Sequence, residues 1–211
     1  DIALEPHERR AMTRGRYLLR NLTAQPIADL HVSLPARNGL QLTSVGVAGA
    51  REILNDRNNS YRILRLASPM QPNDTLLLSF ETRRWHRGFR NGKQETTIVE
   101  NGTLLTEEEL IPVLGYPGGS IQDPETRRKY GLPELPGPPK LEDRGATARV
   151  SFPNTWIKKF DITMSTVADQ TPIAPGKKIY HVTRDGRRTA RFLTTAPTRL
   201  RFSVQSARYA E

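Results

Sequence analysis

The chain has 211 residues, of which 36% are hydrophobic and 26% are charged, and its net charge is +10. It contains no cysteine, which excludes disulfides, thiolate metal sites and a cysteine nucleophile. No apolar run approaches the ~20 residues that a membrane-spanning helix needs, and no segment resembles a secretory signal peptide.

In the first half of the chain, apolar and polar residues mainly alternate, which is the two-residue period of half-buried strands. Strands are predicted at residues 14–20, 27–34, 40–47, 61–66, 75–82 and 96–99. Asn38-Gly39, Asn91-Gly92 and Asn101-Gly102 are dipeptides that favour hairpin turns. The pattern predicts several short antiparallel strands.

The middle of the chain is different, because residues 112–145 are rich in proline and glycine. This stretch is predicted to be a long loop that carries a short helix at residues 124–130. A second short helix is predicted at residues 106–110, where Thr106 precedes acidic first-turn residues. The acidic run Glu107–Glu109 is typical of a solvated face.

Strands are predicted again at residues 146–152, 159–165, 177–183, 187–193 and 200–207. Asp185-Gly186 predicts a two-residue hairpin turn. Together the patterns predict an all-β antiparallel fold, a sandwich or a saddle-shaped sheet. We expect one domain over residues 1–211, with a first sheet region at 1–111, a loop at 112–145 and a second strand region at 146–211.

No complete catalytic motif is found. The segment His7 to Ala11 begins like the zinc motif H-E-x-x-H, but Ala11 stands where the second histidine must be. Nucleophile-elbow and phosphate-binding glycine motifs are also absent from the sequence. We therefore expect no enzyme activity and no cofactor in this chain.

Two tryptophans, Trp85 and Trp156, are candidate binding aromatics at strand ends. With Tyr116 as a third stacking residue, they leave open the alternative of a stand-alone carbohydrate- or peptide-binding module. The basic residues are spread along the chain without any nucleic-acid-binding motif, so nucleic acid is not an expected partner.

Several segments resemble the amino-terminal domain of M1-family aminopeptidases. The opening residues 1–6 and 15–21 resemble its first strands. Three further passages are similar to a bacterial membrane protein that joins ABC-2 type transporter permease segments to an M1-like peptidase region. They are residues 101–105 with 112–116, residues 128–133, and residues 165–176 with 206–209.

This resemblance implies a saddle-shaped β-domain on the extracytoplasmic (periplasmic) side of a bacterial cytoplasmic membrane. The zinc ligands of such a protein would lie in an adjacent peptidase-like domain, against which this domain would pack. The start at Asp1, without methionine, likewise predicts a piece of a longer protein. A peptide, a protein or an anionic membrane surface are further partners that the setting and the basic charge suggest.

Candidate residues for the interdomain or partner surface lie in three predicted loops. They are Asn101, Gly102, Thr103, Gly115, Tyr116, Asp169 and Gln170. Loops held on a rigid sheet commonly carry contacts. The alternative reading is that the fold itself needs these residues as turns.

Overall fold

The structure is a computed structural model of the chain. It describes residues 1–35, 37, 39–86, 88, 95–115, 121, 123–135, 140, 142–143, 145, 156–157 and 159–209. The predictions of a turn at Asn91-Gly92 and of a strand at residues 146–152 lie outside the described residues.

Seventeen strands are described. The first ten are β1 (Ile2–Glu5), β2 (Arg10–Arg20), β3 (Ile27–Ser33), β4 (Leu40–Val47), β5 (Arg51–Asp56), β6 (Tyr61–Met70), β7 (Thr75–Trp85), β8 (Ile98–Val99), β9 (Gly102–Thr106) and β10 (Val113–Leu114). The others are β11 (Trp156–Ile157), β12 (Asp161–Val167), β13 (Thr171–Ile173), β14 (Lys177–Arg184), β15 (Arg187–Leu193), β16 (Thr198–Arg199) and β17 (Ser203–Ala207). Short helices are Pro6–Glu8, Glu107–Glu109 and α1 (Pro124–Lys129).

The largest sheet has seven strands in the order β14-β15-β12-β1-β2-β7-β4. Strands β1 and β12 run parallel, with Ile2 opposite Met164, and the other neighbouring strands are antiparallel. The longest pairing joins β2 and β7 over eleven residues, from Arg10 opposite Trp85 to Arg20 opposite Thr75. Strand β1, at the start of the chain, therefore pairs with β12 from its C-terminal part, and this sheet contains strands from both parts.

Three smaller sheets complete the described fold. Their strand orders are β10-β3-β6-β5, β13-β17-β9-β8 and β11-β16. The predicted all-β antiparallel architecture is therefore confirmed. The predicted helices are also present, as a 3-10 turn at Glu107–Glu109 and as α1.

The core is built from the inward-facing residues of alternating strands, as the two-residue period predicts. In β7, Leu78 and Phe80 are buried, while Leu77 before them and Ser79 between them are exposed. Gly15 of β2 lies opposite Phe80, and a Cβ atom there would be only 2.2 Å from the tip of the Phe80 ring. A glycine is therefore required for this ring to lie over β2. Tyr17 then packs against Phe80, with ring centroids 4.9 Å apart.

Two of the predicted hairpins are confirmed. Asp185 and Gly186 join β14 to β15 with φ angles of 50° and 73°, the left-handed conformation that this tight turn requires. Asn101 lies in the turn from β8 to β9, where Val99 pairs with Gly102.

The hairpin predicted at Asn38-Gly39 is wrong, because β3 and β4 belong to different sheets. Gly39 instead extends the pairing of β4 with β7 within the seven-stranded sheet. Its carbonyl accepts from the Trp85 N–H at 2.8 Å, and an added Cβ would lie 2.0 Å from the Trp85 carbonyl oxygen. A strong local turn signal therefore marks a sheet-to-sheet crossing here.

The predicted end of β6 is also wrong, since the strand continues beyond residue 66 to Met70. The register with β3 shifts between Ile27, which pairs with Met70, and Asp29, which pairs with Arg65. Pro69 lies within this irregular stretch. Proline has no backbone N–H group, and strands tolerate it at such irregularities.

Candidate functional site

The hairpin of β8 and β9 with its flanking residues, which we call the braced hairpin (residues 95–109), is fixed at its turn by a buried glutamine. The Gln170 side-chain amide donates to the Glu100 carbonyl at 2.8 Å. Its oxygen accepts from the Ser206 hydroxyl at 2.7 Å, and Ser206 lies 2.9 Å from the Thr166 hydroxyl. Since a hydroxyl has one hydrogen, Ser206 donates to Gln170 and accepts from Thr166. All three side chains have no exposed surface.

A buried arginine fixes the two ends of the same hairpin. Arg84 is 1% exposed, and its Nη2 lies 3.2 Å from Glu95 Oε2 and 3.4 Å from Glu109 Oε1. Glu95 precedes β8 and Glu109 follows β9. One guanidinium therefore ties both ends of the hairpin to β7.

The prediction that Glu107–Glu109 is a solvated run is wrong at Glu109, which is 3% exposed. The capping box turns this side chain inward, because Glu109 Oε2 accepts from the Thr106 N–H at 3.2 Å. Glu107 is also engaged, accepting from the Phe202 N–H at 3.2 Å. The spacing of Thr106 and Glu109 is the sequence signal that identifies this inward turn.

The structure brings five of the predicted surface residues together at the turn of the braced hairpin. Asn101 is exposed at its tip, and Gly102 faces Ala207 across the pairing with β17. Thr103 lies opposite Ser206 and, like Gln170, is buried within the domain. Of this group, the side chains that face outward are those of Asn101 and Asp169.

Two exposed polar contacts lie beside this tip. The Arg208 Nε donates to Asp169 Oδ2 at 2.6 Å, and this hydrogen bond lowers the pKa of the Asp169 carboxyl below its usual value. His7 Nδ1 lies 3.8 Å from Glu100 Oε1. The tip thus offers amide, carboxylate, guanidinium and imidazole groups on a backbone that buried hydrogen bonds hold in place.

Gly115 lies in a different place, at the end of β10. Its N–H donates to the His31 carbonyl at 2.8 Å and its carbonyl accepts from the Ser33 hydroxyl at 3.3 Å. Both partners belong to β3, the neighbour of β10 in a sheet that does not contain the braced hairpin. Tyr116, predicted beside it, lies outside the described residues.

Of the two candidate binding aromatics, the structure describes the side chain of Trp85 alone. Trp85 is half-buried, and the Arg83 guanidinium carbon lies 5.4 Å from its ring centroid. This cation covers the ring. Of Trp156 only the backbone is described, and it pairs with Arg199.

The near-match to a zinc motif does not form the α-helix that such a motif requires. The helix Pro6–Glu8 is a single 3-10 turn, Arg9 follows in the left-handed conformation with φ of 52°, and β2 begins at Arg10. Within the described ranges, no group of three or more His, Asp or Glu side chains is placed to hold a metal ion. The described residues therefore do not fit a zinc site.

A groove of about 610 Å³ lies between β4 and the hairpin of β5 and β6. Arg62 crosses it, donating to the Leu42 carbonyl at 2.6 Å and pairing with Glu52 at 3.1 Å. Its lining is polar and, among the described residues, contains no aromatic side chain. The described lining therefore provides no aromatic stacking surface for a sugar ring.

A membrane-spanning helix is not found in the part of the chain that the structure describes. Comparisons with protein-family models and with curated protein sequences found no match.

Solved structures do match. The M1 zinc metallopeptidase of Deinococcus radiodurans is similar over 97% of this chain and 40% of its own, with a TM-score of 0.56 and 13% identity. The fold is that of an M1 amino-terminal β-domain. A mutant of that enzyme bound to a Tyr-Ser-Ala substrate matches with a TM-score of 0.57 and 13% identity. The chain spans about 40% of the length of these metallopeptidases.

Proposed function

We propose that this chain is a non-catalytic domain that packs against an M1-like peptidase region and supports it. The observation that carries the proposal is the fold likeness, which takes in 97% of this chain but only 40% of the M1 metallopeptidase. The rest of such a protein would supply the zinc and the catalytic groups, since the described residues here fit neither.

The tip of the braced hairpin is the surface that we assign to this contact. Gln170 and Arg84 fix its backbone from inside the domain, so a partner meets a preformed shape. A preformed surface loses little conformational entropy on binding, which favours affinity. Asn101 and Asp169 are its exposed polar groups.

The contact is tested by supplying the parent protein's peptidase-like region as a separate polypeptide and measuring binding by calorimetry. Asn101→Arg and Asp169→Arg introduce bulk and charge at the tip without touching the core. We expect each to weaken binding about tenfold or more, as a substitution at an interface centre does. Gln71→Arg, in the exposed turn between β6 and β7, is the matched control and should bind normally. Equal binding by all variants would exclude this surface.

Absence of catalysis is tested directly on the chain. With aminoacyl-coumarin substrates and added zinc, we expect hydrolysis no faster than in buffer. Turnover that a chelator abolishes and zinc restores would contradict the non-catalytic assignment.

We further propose that the parent is a membrane protein of the ABC-2 permease and M1 peptidase type, with this domain on the extracytoplasmic side. The ordered sequence resemblance of three passages supports this setting. Protease treatment of spheroplasts that carry the tagged parent should cleave within this domain. Protection until the membrane is permeabilised would contradict the location.

The net charge of +10 supports a secondary contact of the domain with anionic lipid. Co-sedimentation with vesicles of neutral and of anionic phospholipid tests it. We expect binding to the anionic vesicles alone, decreasing with salt because mobile ions screen exposed charges. Equal sedimentation with both vesicle types would remove this partner.

A further inference from the structure

Strand β14 is the end strand of the seven-stranded sheet in the described part of the chain. All eight of its residues are exposed, including the large apolar side chains of Ile179, Tyr180 and Val182. An end strand pairs through one edge only, so its second edge presents backbone donors and acceptors. Exposed apolar residues beside such an edge are typical of a site where an extended segment adds to a sheet.

The register with β15 shows which side chains share a face. Lys178, His181 and Thr183 lie opposite the residues of β15 that face the core side. Tyr180, Val182 and Arg184 lie opposite the other set, and the irregularity after Lys178 brings Lys177 onto their side. One face of β14 therefore presents, in order along the strand, a cation, an aromatic side chain, an aliphatic side chain and a second cation.

The charge of the strand decides between candidate occupants. Residues 177–184 contain Lys177, Lys178 and Arg184 and no acidic residue. In a fully overlapped antiparallel pair of two copies, Lys177 would face Arg184 at each end. Like charges directly opposite each other destabilise a strand pair, so a second copy is disfavoured. An acidic segment meets the same cations favourably.

We propose that β14 binds an extended acidic segment of a separate protein, which adds to the sheet as an eighth strand. Carboxylates of that segment would face Lys177 and Arg184, and apolar side chains between them would cover Tyr180 and Val182. Backbone hydrogen bonds supply affinity in this mode, and the alternating side chains supply specificity. The proposal does not depend on packing against a peptidase region, because β14 and the braced hairpin lie in different sheets.

The test uses three synthetic peptides with the chain itself, monitored by fluorescence anisotropy. The first has the sequence Glu-Thr-Val-Thr-Val-Thr-Glu, the second has lysine in place of both glutamates, and the third is the acidic peptide with N-methylated valines. We expect the acidic peptide to bind about tenfold tighter than the basic one, from two favourable ion pairs in place of two repulsions. N-methylation should abolish binding, since it removes backbone donors.

A charge-reversed variant makes the assignment specific to β14. Lys177→Glu combined with Arg184→Glu should bind the basic peptide in preference to the acidic one. Arg51→Glu combined with Arg57→Glu, at exposed positions on β5 and its following turn, lowers the net charge equally and should behave like the unmodified chain. Because all four residues are exposed, both variants should remain folded, and circular dichroism checks this.

Two results would overturn the proposal. One is tight binding of the N-methylated peptide, which would mean attraction by charge alone. The other is an equal loss of acidic-peptide binding in both double variants, which would mean that net charge and not β14 is recognised. A concentration-dependent dimer of the chain, lost on Val182→Lys, would assign the edge to a second copy instead.

Discussion

The braced hairpin and strand β14 are both surface β-structure, but the protein holds them in opposite ways. The hairpin is fixed by side chains that have almost no exposed surface, Gln170 at its turn and Arg84 at its ends. Strand β14 is exposed along its whole length and is held through its pairing with β15. The first region therefore has a preformed shape, while the second has exposed apolar side chains and one edge that no strand among the described residues pairs with.

Loss of the Arg84 side chain should have the largest effect on the free energy of unfolding. Arg84→Met removes the cation between Glu95 and Glu109 and leaves the buried Glu109 carboxylate without its counter-charge. We expect a loss of about 3–5 kcal/mol in the free energy of unfolding. Urea denaturation measures it. Arg14→Met, which removes an exposed pair with Glu81, is the control and should cost no more than about 1 kcal/mol. Equal costs would mean that burial of the Arg84 pair is energetically unimportant.

Gln170 should have the next largest effect. Gln170→Leu leaves the Glu100 carbonyl and the Ser206 hydroxyl without their buried partner, which costs about 1–3 kcal/mol. Hydrogen exchange should also quicken at Asn101 and Gly102, because the turn loses its internal contact. Gln205→Leu, whose side chain bonds to the exposed Tyr209 hydroxyl, should leave exchange at the turn unchanged. Unaltered exchange in Gln170→Leu would show that β17 alone holds the hairpin.

Part of this arrangement follows from local sequence patterns. Side chains two residues apart share a face of a strand. Thr82 and Arg84 are therefore expected on the same core face of β7 as Leu78 and Phe80. Thr106 and Glu109 similarly form a recognisable capping box. The sequence thus indicates that two opposite charges are directed inward, although not that they meet.

Other features depend on distant parts of the chain and have no local signal. Which sheet β4 joins is decided by its pairing with β7, so Asn38-Gly39 was misread as a hairpin turn. Gln170 is polar and follows a predicted loop residue, yet it is buried and accepts a hydrogen bond from Ser206, 36 positions later. The predicted strands do not include β5, β10, β11, β13 and β16, because short or charged segments carry too little alternation. Packing outside the segment determines each of these outcomes.

The pH dependence of stability tests how the start of the braced hairpin is attached. His86 Nε2 lies 3.2 Å from the Thr97 hydroxyl, and burial, together with the positive charges of Arg84 and Arg9, lowers the pKa of His86 to about 4. In the unfolded chain the pKa is near 6.5, so the unfolded state binds the proton more tightly between about pH 4 and 6.5. The free energy of unfolding should therefore fall as the pH is lowered through this window. Because the ring is only half-buried, we expect about 1 kcal/mol.

His86→Gln serves as the reference for this measurement, since it keeps a hydrogen-bonding side chain that does not titrate. The difference in unfolding free energy between the two proteins should shrink or reverse in favour of the variant as the pH drops from about 6.5 to 4. A constant difference across this range would mean that His86 titrates normally in the folded chain.

Substitution of Val182 should have the smallest effect on the free energy of unfolding. It also tests most directly whether β14 differs from the braced hairpin in lacking internal contacts. Val182→Ser removes an apolar side chain that is 48% exposed on an end strand, with no core neighbour left unpacked. We expect the free energy of unfolding to change by no more than about 0.5 kcal/mol, the range of ordinary surface substitutions. Phe192→Ala on β15, which is 5% exposed, should cost about 3–5 kcal/mol in the same assay. If Val182→Ser instead destabilised the chain by as much as a core substitution, its side chain would be part of the folded interior. The edge of β14 would then be occupied by the chain itself and closed to an added strand.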